Sequence, residues 1–218
     1  MNAVFQSGDE ERFRRQRERM VSEQIADRGI RNEQVLAAMR EVPRHRFVPP
    51  EERHLSYADG PLPIGKGQTI SQPYVVAAMT EAVDPAPGKR ILEVGTGSGY
   101  QAAVLAATGA EVYSIERVPE LAAAARKVLE GLGYSVHFSV GDGALGWPAA
   151  APFDGILVTA APPELPPAYR DQLAEGGHLV IPVGSLEQTL YRYEKLPDGR
   201  FRANALFSVR FVPLRSGD

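Results

Sequence analysis

The stretch Ile91-Leu92-Glu93-Val94-Gly95-Thr96-Gly97-Ser98-Gly99-Tyr100 decides how this chain folds. Its first four residues are mostly apolar, which predicts a short strand buried on both faces of a parallel sheet. Three glycines at alternate positions then turn the chain, and residues 101–107 (QAAVLAA) are strong helix formers. A strand, a glycine turn and a helix in this order expose bare backbone at a positive helix N-terminus, where a ligand can bind.

The spacing of the glycines narrows the choice of ligand. A dinucleotide-binding loop carries G-x-G-x-x-G, but here the third glycine comes one residue early, as Gly95-x-Gly97-x-Gly99. Glu93 stands just before the turn, where its carboxylate would repel a pyrophosphate and attract an ammonium group. Glu116 ends the next predicted strand, about 20 positions after Gly95, the usual place for an acid that binds ribose hydroxyls. Ribose and ammonium without phosphate describe S-adenosylmethionine better than NAD, and the pattern resembles motif I (E/D-x-G-x-G-x-G) of the Rossmann-like methyltransferases.

Composition limits the fold and the compartment. The chain has 218 residues, of which 44% are hydrophobic and 23% charged, enough for one sizeable core. It has no cysteine, which excludes disulfides, thiolate metal ligands and a cysteine nucleophile. Apolar runs fall well short of the roughly 20 residues of a membrane span, and the net charge of −3 argues against bulk attraction to nucleic acid. We expect a cytoplasmic protein with no membrane or nucleic-acid partner, and we expect a monomer.

The rest of the chain alternates between predicted strands and helices. Further strands are predicted at residues 111–115, 136–140, 156–158 and 178–181, and a hairpin at residues 188–212 turns at Pro197-Asp198-Gly199-Arg200. This order predicts a three-layer α/β sandwich with a mostly parallel sheet, an N-terminal helical extension and a C-terminal β-hairpin. We expect one domain over residues 1–218. A helical and loop lobe to about residue 85 would contribute to the active site, and residues from about 86 onward would form the cofactor-binding core.

Two N-terminal segments need interpretation. Residues 10–27 carry five arginines, which suit either a nucleic-acid-binding helix or a solvated helix face, and the interleaved acids favour the solvated face. Asn32 is the predicted N-cap of a second helix. Residues 43–73 hold six prolines and three glycines. A loop of that length inside a compact domain is usually functional or disordered, and apolar residues spaced along it favour a functional segment.

Asp142 follows the third predicted strand, at the sheet edge where open α/β folds bind ligands. Its carboxylate would accept a hydrogen bond from the adenine amino group, or it is simply a turn aspartate between Gly141 and Gly143. Agreement with the positions of the two glutamates favours the first interpretation. The four histidines have no metal-ligand spacing, so no metal site is predicted, and His45 is taken as structural.

The most specific stretch in the chain is Pro61-Leu62-Pro63-Ile64-Gly65-Lys66-Gly67-Gln68-Thr69-Ile70-Ser71-Gln72-Pro73. It resembles the signature of the protein-L-isoaspartate (D-aspartate) O-methyltransferase family, in which a T-I-S-x-P run precedes the cofactor strand. Other blocks resemble the same family in order along most of the chain, at residues 20–30, 35–39, 42–49, 57–64, 92–100, 141–143 and 209–214. Motif I is shared by many methyltransferases, whereas the run from Gly67 to Pro73 together with the N-terminal blocks is far more specific.

The resemblance implies a reaction. The substrate would be an L-isoaspartyl or D-aspartyl residue of a damaged protein, methylated on its free α-carboxylate by S-adenosylmethionine. The products would be S-adenosyl-L-homocysteine and a methyl ester that can collapse to a succinimide. Because a carboxyl group with a pKa of about 4 is ionised at neutral pH, no strong general base is needed. Catalysis then rests on positioning and on exclusion of water.

The resemblance also implies roles for individual residues. Ser71 stands at the family's active-site serine position and would orient the carboxylate, although Ser-x-Pro also fits an N-cap for the following helix. The implied cofactor residues are Gln68, Thr69, Ile70, Ser71, Glu93, Gly95, Thr96, Gly97, Ser98, Gly99, Glu116, Arg117, Asp142 and Gly143. The implied substrate residues are Ile64, Ser71, Val209, Phe211 and Val212. An edge strand at residues 209–214 would pair with an extended peptide.

Two rival classes stay open. The first is another S-adenosylmethionine-dependent methyltransferase, acting on RNA or a small molecule, which would show a basic or aromatic binding face. The net charge and the signature after Gly67 speak against it. The second is a non-enzymatic module that retains the pocket, which would be expected to lack Glu93, Glu116 or Ser71; all three are present.

Overall fold

The computed structural model describes residues 2–217, with side chains from Gly8 onward. Nine strands form, namely β1 (Leu62–Gly65), β2 (Gln68–Ile70), β3 (Arg90–Val94), β4 (Glu111–Glu116), β5 (Val136–Val140), β6 (Phe153–Val158), β7 (Leu173–Val183), β8 (Gln188–Lys195) and β9 (Phe201–Val209). The α-helices are α1 (Asn2–Arg19), α2 (Glu33–Glu41), α3 (Pro73–Val83), α4 (Tyr100–Ala107), α5 (Pro119–Gly131) and α6 (Ala168–Gln172). Over the described residues, no helix combines the length and apolar character of a membrane span.

Seven strands form one sheet in the order β5-β4-β3-β6-β7-β8-β9. The pairs from β5 to β7 are parallel, and β8 and β9 add an antiparallel hairpin. The hairpin turns where the sequence predicts it, and the backbone N–H of Leu196 donates to the carbonyl of Arg200 at 2.8 Å. The α/β class, the mostly parallel sheet and the C-terminal hairpin are confirmed.

The two faces of the sheet are covered unequally. Along β3 the side chains alternate, so that Ile91 packs with residues of α1 to α5, whereas Leu92 and Val94 pack on the opposite face. That opposite cluster contains a single α-helix, α6, through the fully buried Tyr169, and short turns near Trp147 complete it. The predicted three layers are present, with a thin second helical layer.

The N-terminal helical extension is confirmed and continues α1 into a π-helical stretch, Met20–Ala26. The side chain of Asn32 caps α2 as predicted, accepting from the N–H groups of Gln34 and Val35 at 3.0 and 3.2 Å. On α1, Arg14 and Arg15 pair with Glu11 and other acids of the same helix at exposed positions. This arrangement supports the solvated-face interpretation.

The long segment at residues 43–73 contains the β1–β2 hairpin, which the sequence analysis does not predict. Strands of four and three residues are too short to show an alternating pattern. The turn places Lys66 at φ 54° and Gly67 at φ 70°. Positive φ at two successive turn residues matches the natural twist of a tight hairpin.

The C-terminal strand ends earlier than predicted. The sequence predicts a strand through residue 212, but β9 ends at Val209. The side chain of Gln188 replaces a strand partner for the backbone of Phe211. It accepts from the N–H of Phe211 at 2.6 Å and donates to its carbonyl at 3.0 Å. Residues 212–214 then run beside Ala161, which donates to the carbonyl of Val212 at 2.8 Å and accepts from the N–H of Leu214 at 2.9 Å. This segment therefore crosses the carboxyl edge of the sheet and does not lengthen β9, the last strand.

Candidate active site

A cavity of about 890 Å³ opens at the carboxyl edge of β3, β4 and β6. One wall is formed by the β1–β2 hairpin and the start of α3. A second wall is formed by the glycine loop and the residues after β4. The end of β9 and the segment that crosses the sheet edge close the third side. Ligand sites of open α/β folds lie at this edge, so the fold itself puts the cavity where a ligand is expected.

The glycine loop takes a conformation that requires its first glycine. Gly95 has a φ of 95°, and a Cβ atom built there would collide with the Thr159 hydroxyl. That hydroxyl donates to the carbonyl of Gly95 at 2.7 Å, which ties the loop to the residue following β6. Residues 95–98 line the cavity, and glycine at positions 95 and 97 leaves no side chain to cover the backbone there.

Glu116 reaches the cavity from the end of β4. One carboxylate oxygen accepts from the N–H of Gly97 at 2.8 Å and the other accepts from the N–H of Val118 at 2.9 Å. These bonds fix the carboxylate beside the loop while leaving lone pairs on each oxygen. An acid held in this way suits the two hydroxyls of a ribose.

Glu93 lies behind the loop and does not line the cavity. Its side chain is fully buried and accepts a hydrogen bond from the hydroxyl of Ser114, whose oxygen is 2.5 Å from that of Thr96. Burial raises the pKa of the Glu93 carboxyl to about 8. The sequence predicts that Glu93 acts on an ammonium group, whereas in the structure hydrogen bonds connect it toward the cavity through Ser114 and Thr96.

Asp142 also lies away from the cavity wall, although Gly143 lines it. Its carboxylate accepts from the N–H of Ala144 at 2.9 Å and from the N–H of Gly217 at 2.8 Å. The aspartate therefore caps a short helical turn and holds the C-terminal segment. This geometry matches the turn-aspartate interpretation, which the sequence analysis does not prefer.

Ser71 lines the cavity beside Gln68, Thr69 and Ile70. The N-cap of α3 is Gln72, and the Ser71 hydroxyl makes no hydrogen bond to any of the described residues. The alternative role of Ser71 as a helix cap is therefore not realised. Its half-buried hydroxyl is available to a ligand.

The remaining predicted residues divide into two groups. Arg117, Val209, Phe211 and Val212 line the cavity. Ile64 and Gly99 do not line it. Ile64 contacts the loop at Gly97, and Gly99 packs against Ala125 and Leu129 of α5.

Several lining residues are not predicted from the sequence, including Arg28, Tyr74, Thr159 and Ala160, whereas Arg210 lies in the predicted substrate segment without being singled out. Thr159 and Ala160 follow the carboxyl end of a predicted strand, a signal that could have identified them. Arg28 has no local signal, because the chain brings it to the cavity from the N-terminal helices.

The fold and the site together define a class of protein. A glycine loop that presents bare backbone, a ribose-type acid at the end of the next strand and an open cavity fit S-adenosylmethionine, and define a Rossmann-like methyltransferase that uses it. A model of the family described as protein-L-isoaspartate(D-aspartate) O-methyltransferase matches residues 15–218. The chain belongs to this family.

Individual relatives agree. A protein-L-isoaspartate O-methyltransferase of a Picosynechococcus strain is 54% identical over 200 residues, covering 91% of this chain and 90% of the relative. A solved protein-L-isoaspartate O-methyltransferase superposes with a TM-score of 0.83 at 30% identity, covering 92% of this chain and 66% of that longer chain. A Plasmodium falciparum beta-aspartate methyltransferase solved with S-adenosyl-L-homocysteine gives a TM-score of 0.78 at 27% identity, covering 91% and 98%.

Proposed function

We propose that this enzyme transfers a methyl group from S-adenosylmethionine to the free α-carboxylate of L-isoaspartyl and D-aspartyl residues in damaged proteins. One observation carries the proposal. A single cavity is lined both by Thr69, Ile70 and Ser71 and by the glycine loop with Glu116. A carboxylate held at the serine and a methyl donor held at the loop would therefore meet in one cavity.

The glycine loop and Glu116 would hold the cofactor. The bare backbone of residues 95–98 suits close approach of the methionine and ribose, and the two carboxylate oxygens of Glu116 suit the ribose hydroxyls. When bound, S-adenosylmethionine supplies an electrophilic methyl on a sulfonium, which becomes the neutral thioether of S-adenosyl-L-homocysteine. Glu93 would support the loop from behind through Ser114 and Thr96.

Ser71 would position the nucleophile. An ionised carboxylate needs no base, so the useful contribution is a donor that fixes one oxygen while the other faces the methyl group. A hydroxyl without a partner among the described residues can do this without neutralising the carboxylate. A lysine or arginine at this place would hold the carboxylate more strongly but would reduce its nucleophilicity.

The end of β9 would bind the substrate backbone. β9 is the last strand of the sheet, so its outer edge has unpaired backbone groups. Val209 at the end of β9 lines the cavity, as do Phe211 and Val212 after it, whose side chains rather than paired backbone would face the peptide. Pairing through the backbone is indifferent to side chains, which suits an enzyme that meets damage in many sequences.

Paired peptides that differ only in aspartyl or isoaspartyl linkage test the proposal directly. Methyl transfer from radiolabelled S-adenosylmethionine should label only the isoaspartyl peptide and give a base-labile product. Ser71→Ala should lower kcat by about tenfold to a hundredfold, the loss of one positioned hydrogen bond to a charged group, and Ser71→Thr should restore part of it. Ser185→Ala, in the exposed turn between β7 and β8, is the matched control.

RNA is the second candidate substrate, because the cavity wall carries several arginines. The same radiolabel assay with total RNA in place of peptide distinguishes the two. Labelling of RNA with no labelling of isoaspartyl peptide would replace the proposal.

We infer further that the chain works as a cytoplasmic monomer in which both lobes share one domain. Buried residues of the N-terminal helices, such as Ile25 and Met39, belong to the same hydrophobic cluster as Ile91 and Val112 of the sheet, which supports one domain. The lack of cysteine suits a reducing compartment. Sedimentation equilibrium tests the oligomeric state, and a dimer would contradict this inference.

A further inference from the structure

The cavity is more basic than the rest of the molecule. The formal net charge of the chain is −3. The cavity wall nevertheless carries one carboxylate, that of Glu116, and the cations Arg28, Lys66, Arg117, Arg210 and Arg215. Clefts lined by one sign of charge concentrate ligands of the opposite sign, so this wall favours an anionic ligand.

The cations divide between the two sides of the cavity. Arg117 adjoins Glu116 on the cofactor side and donates to backbone carbonyls of residues 215 and 217. Lys66 pairs with Glu120 at 2.6 Å, near the start of α5. Both side chains already have hydrogen-bond or ion-pair partners, and both lie on the cofactor side of the cavity. Arg215 lies on the same side, since its backbone carbonyl accepts from Arg117. The other two cations, Arg28 and Arg210, lie with the substrate-side residues.

Arg28 belongs to an aromatic wall next to Ser71. Its guanidinium carbon lies 3.9 Å from the ring centroid of Tyr74, and that ring lies 5.8 Å from the ring of Phe207 on β9. Arg210 stands just beyond the end of the same strand. Both arginines therefore line the same cavity as Ser71 and the end of β9, where a peptide along β9 would enter.

The two arginines differ in how much charge they offer. Arg28 forms an ion pair with Asp59 at 3.1 Å, whereas exposed Arg210 forms none with the described residues 8–217. On the substrate side, Arg210 is therefore the cation whose charge is not neutralised by an acid of the described residues. An extended peptide advances about 3.3 Å per residue, so the neighbours of an isoaspartyl residue at Ser71 stay within reach of an arginine side chain.

We propose that Arg210, assisted by Arg28, makes this enzyme select isoaspartyl sites that have acidic residues close by in the sequence. This inference rests on the proposed function and adds a substrate preference to it. An exposed ion pair of this kind changes affinity by about twofold to fivefold, so the preference should appear mainly in KM. It should weaken at high ionic strength.

Three isoaspartyl peptides test the proposal when they differ only in carrying Glu, Gln or Lys beside the isoaspartyl residue. Acetylated and amidated ends remove chain-terminal charges, so that only the side chain differs. The wild-type KM should rise in the order Glu, Gln, Lys, with a narrower spread in high salt. Arg210→Glu should reverse the order.

A second variant separates local from global charge. Arg200→Glu changes the net charge by the same amount at the opposite end of the β8–β9 hairpin, where Arg200 pairs with exposed Asp198. It should keep the wild-type order of KM values. If Arg200→Glu shifts the order as Arg210→Glu does, the effect is one of overall charge and the proposal is wrong.

The remaining outcomes are also decisive. Equal wild-type KM values for the three peptides would overturn this inference and leave the proposed function standing. An equal loss of kcat on all three in Arg210→Glu, with the order unchanged, would assign Arg210 to the reacting carboxylate and overturn the preference. Absence of methylation of every peptide, with S-adenosyl-L-homocysteine still bound, would overturn the proposed function and this inference together.

Discussion

The guanidinium carbon of Arg44 lies 4.9 Å from the ring centroid of Tyr100, and both side chains are fully buried. The Nε of Arg44 donates to the carbonyl of Ser56 at 2.8 Å. Tyr100 begins α4 directly after the glycine loop and also lines the cavity. One arginine thus connects the long N-terminal loop segment to the start of the cofactor-binding helix.

Truncating this arginine should therefore weaken both the fold and the cofactor site. Arg44→Ala should lower the free energy of unfolding by about 2–4 kcal/mol, the range for truncating a large buried side chain. It should also weaken binding of S-adenosyl-L-homocysteine, because Tyr100 loses its support. Urea unfolding and calorimetric titration measure the two effects. Arg46→Ala, at a half-exposed neighbouring side chain, is the control, and equal losses in the two variants would contradict the argument.

The buried carboxyl of Glu93 should make stability depend on pH. Its pKa is raised to about 8 by burial, above the ordinary value of 4.5. The folded state therefore holds a proton that the unfolded state releases, and the stability falls as pH rises through this window, by up to about 1.4 kcal/mol per pH unit.

Glu93→Gln keeps the shape of the side chain and removes the titration. The variant should gain stability relative to wild type between about pH 5 and about pH 9, measured by urea unfolding at both values. Glu111→Gln, at an exposed position on β4, should show no such gain. A stability difference between wild type and Glu93→Gln that is the same at both pH values would refute the assignment.

Substitutions at two glycines with similar backbone angles distinguish the cost of backbone strain from the cost of a steric clash. Gly95 and Gly88 both have positive φ, 95° and 78°, but a Cβ atom would meet the Thr159 hydroxyl only at Gly95. Gly88→Ala should cost about 1–2 kcal/mol from backbone strain alone. Gly95→Ala should cost more and should also abolish binding of S-adenosyl-L-homocysteine. Unfolding and titration experiments on both variants check this, and indistinguishable behaviour would count against the collision.

The sheet could be predicted because its strands are short apolar runs set off by glycine and proline, patterns that act locally. The cofactor side of the cavity could be predicted from the same local patterns, since the glycine loop and Glu116 stand at the ends of predicted strands. The side chains of Glu93 and Asp142 lie off the cavity wall, where the sequence does not predict them, for a physical reason. A position at the end of a strand indicates an edge of the sheet, but it does not say which face a side chain takes or which backbone group it caps.

The substrate side was less accessible to sequence reasoning. The strands of the β1–β2 hairpin have four and three residues, too few to show the alternation that predicts a strand. The early end of β9 depends on Gln188, a side chain on another strand that replaces a backbone partner. Arg28 reaches the cavity only through the packing of the N-terminal helices. The last two features are tertiary, and no window of local sequence contains them.

The segment that crosses the sheet edge gives the two ligands a common support. Val212 and Leu214 are hydrogen-bonded to Ala161, which directly follows the cavity residues Thr159 and Ala160. Gln188 holds the same segment on its other side, at Phe211. A peptide bound on this segment would therefore press on residues that are tied directly to the donor's part of the cavity. Substrate binding would then reach the methyl donor through backbone hydrogen bonds alone.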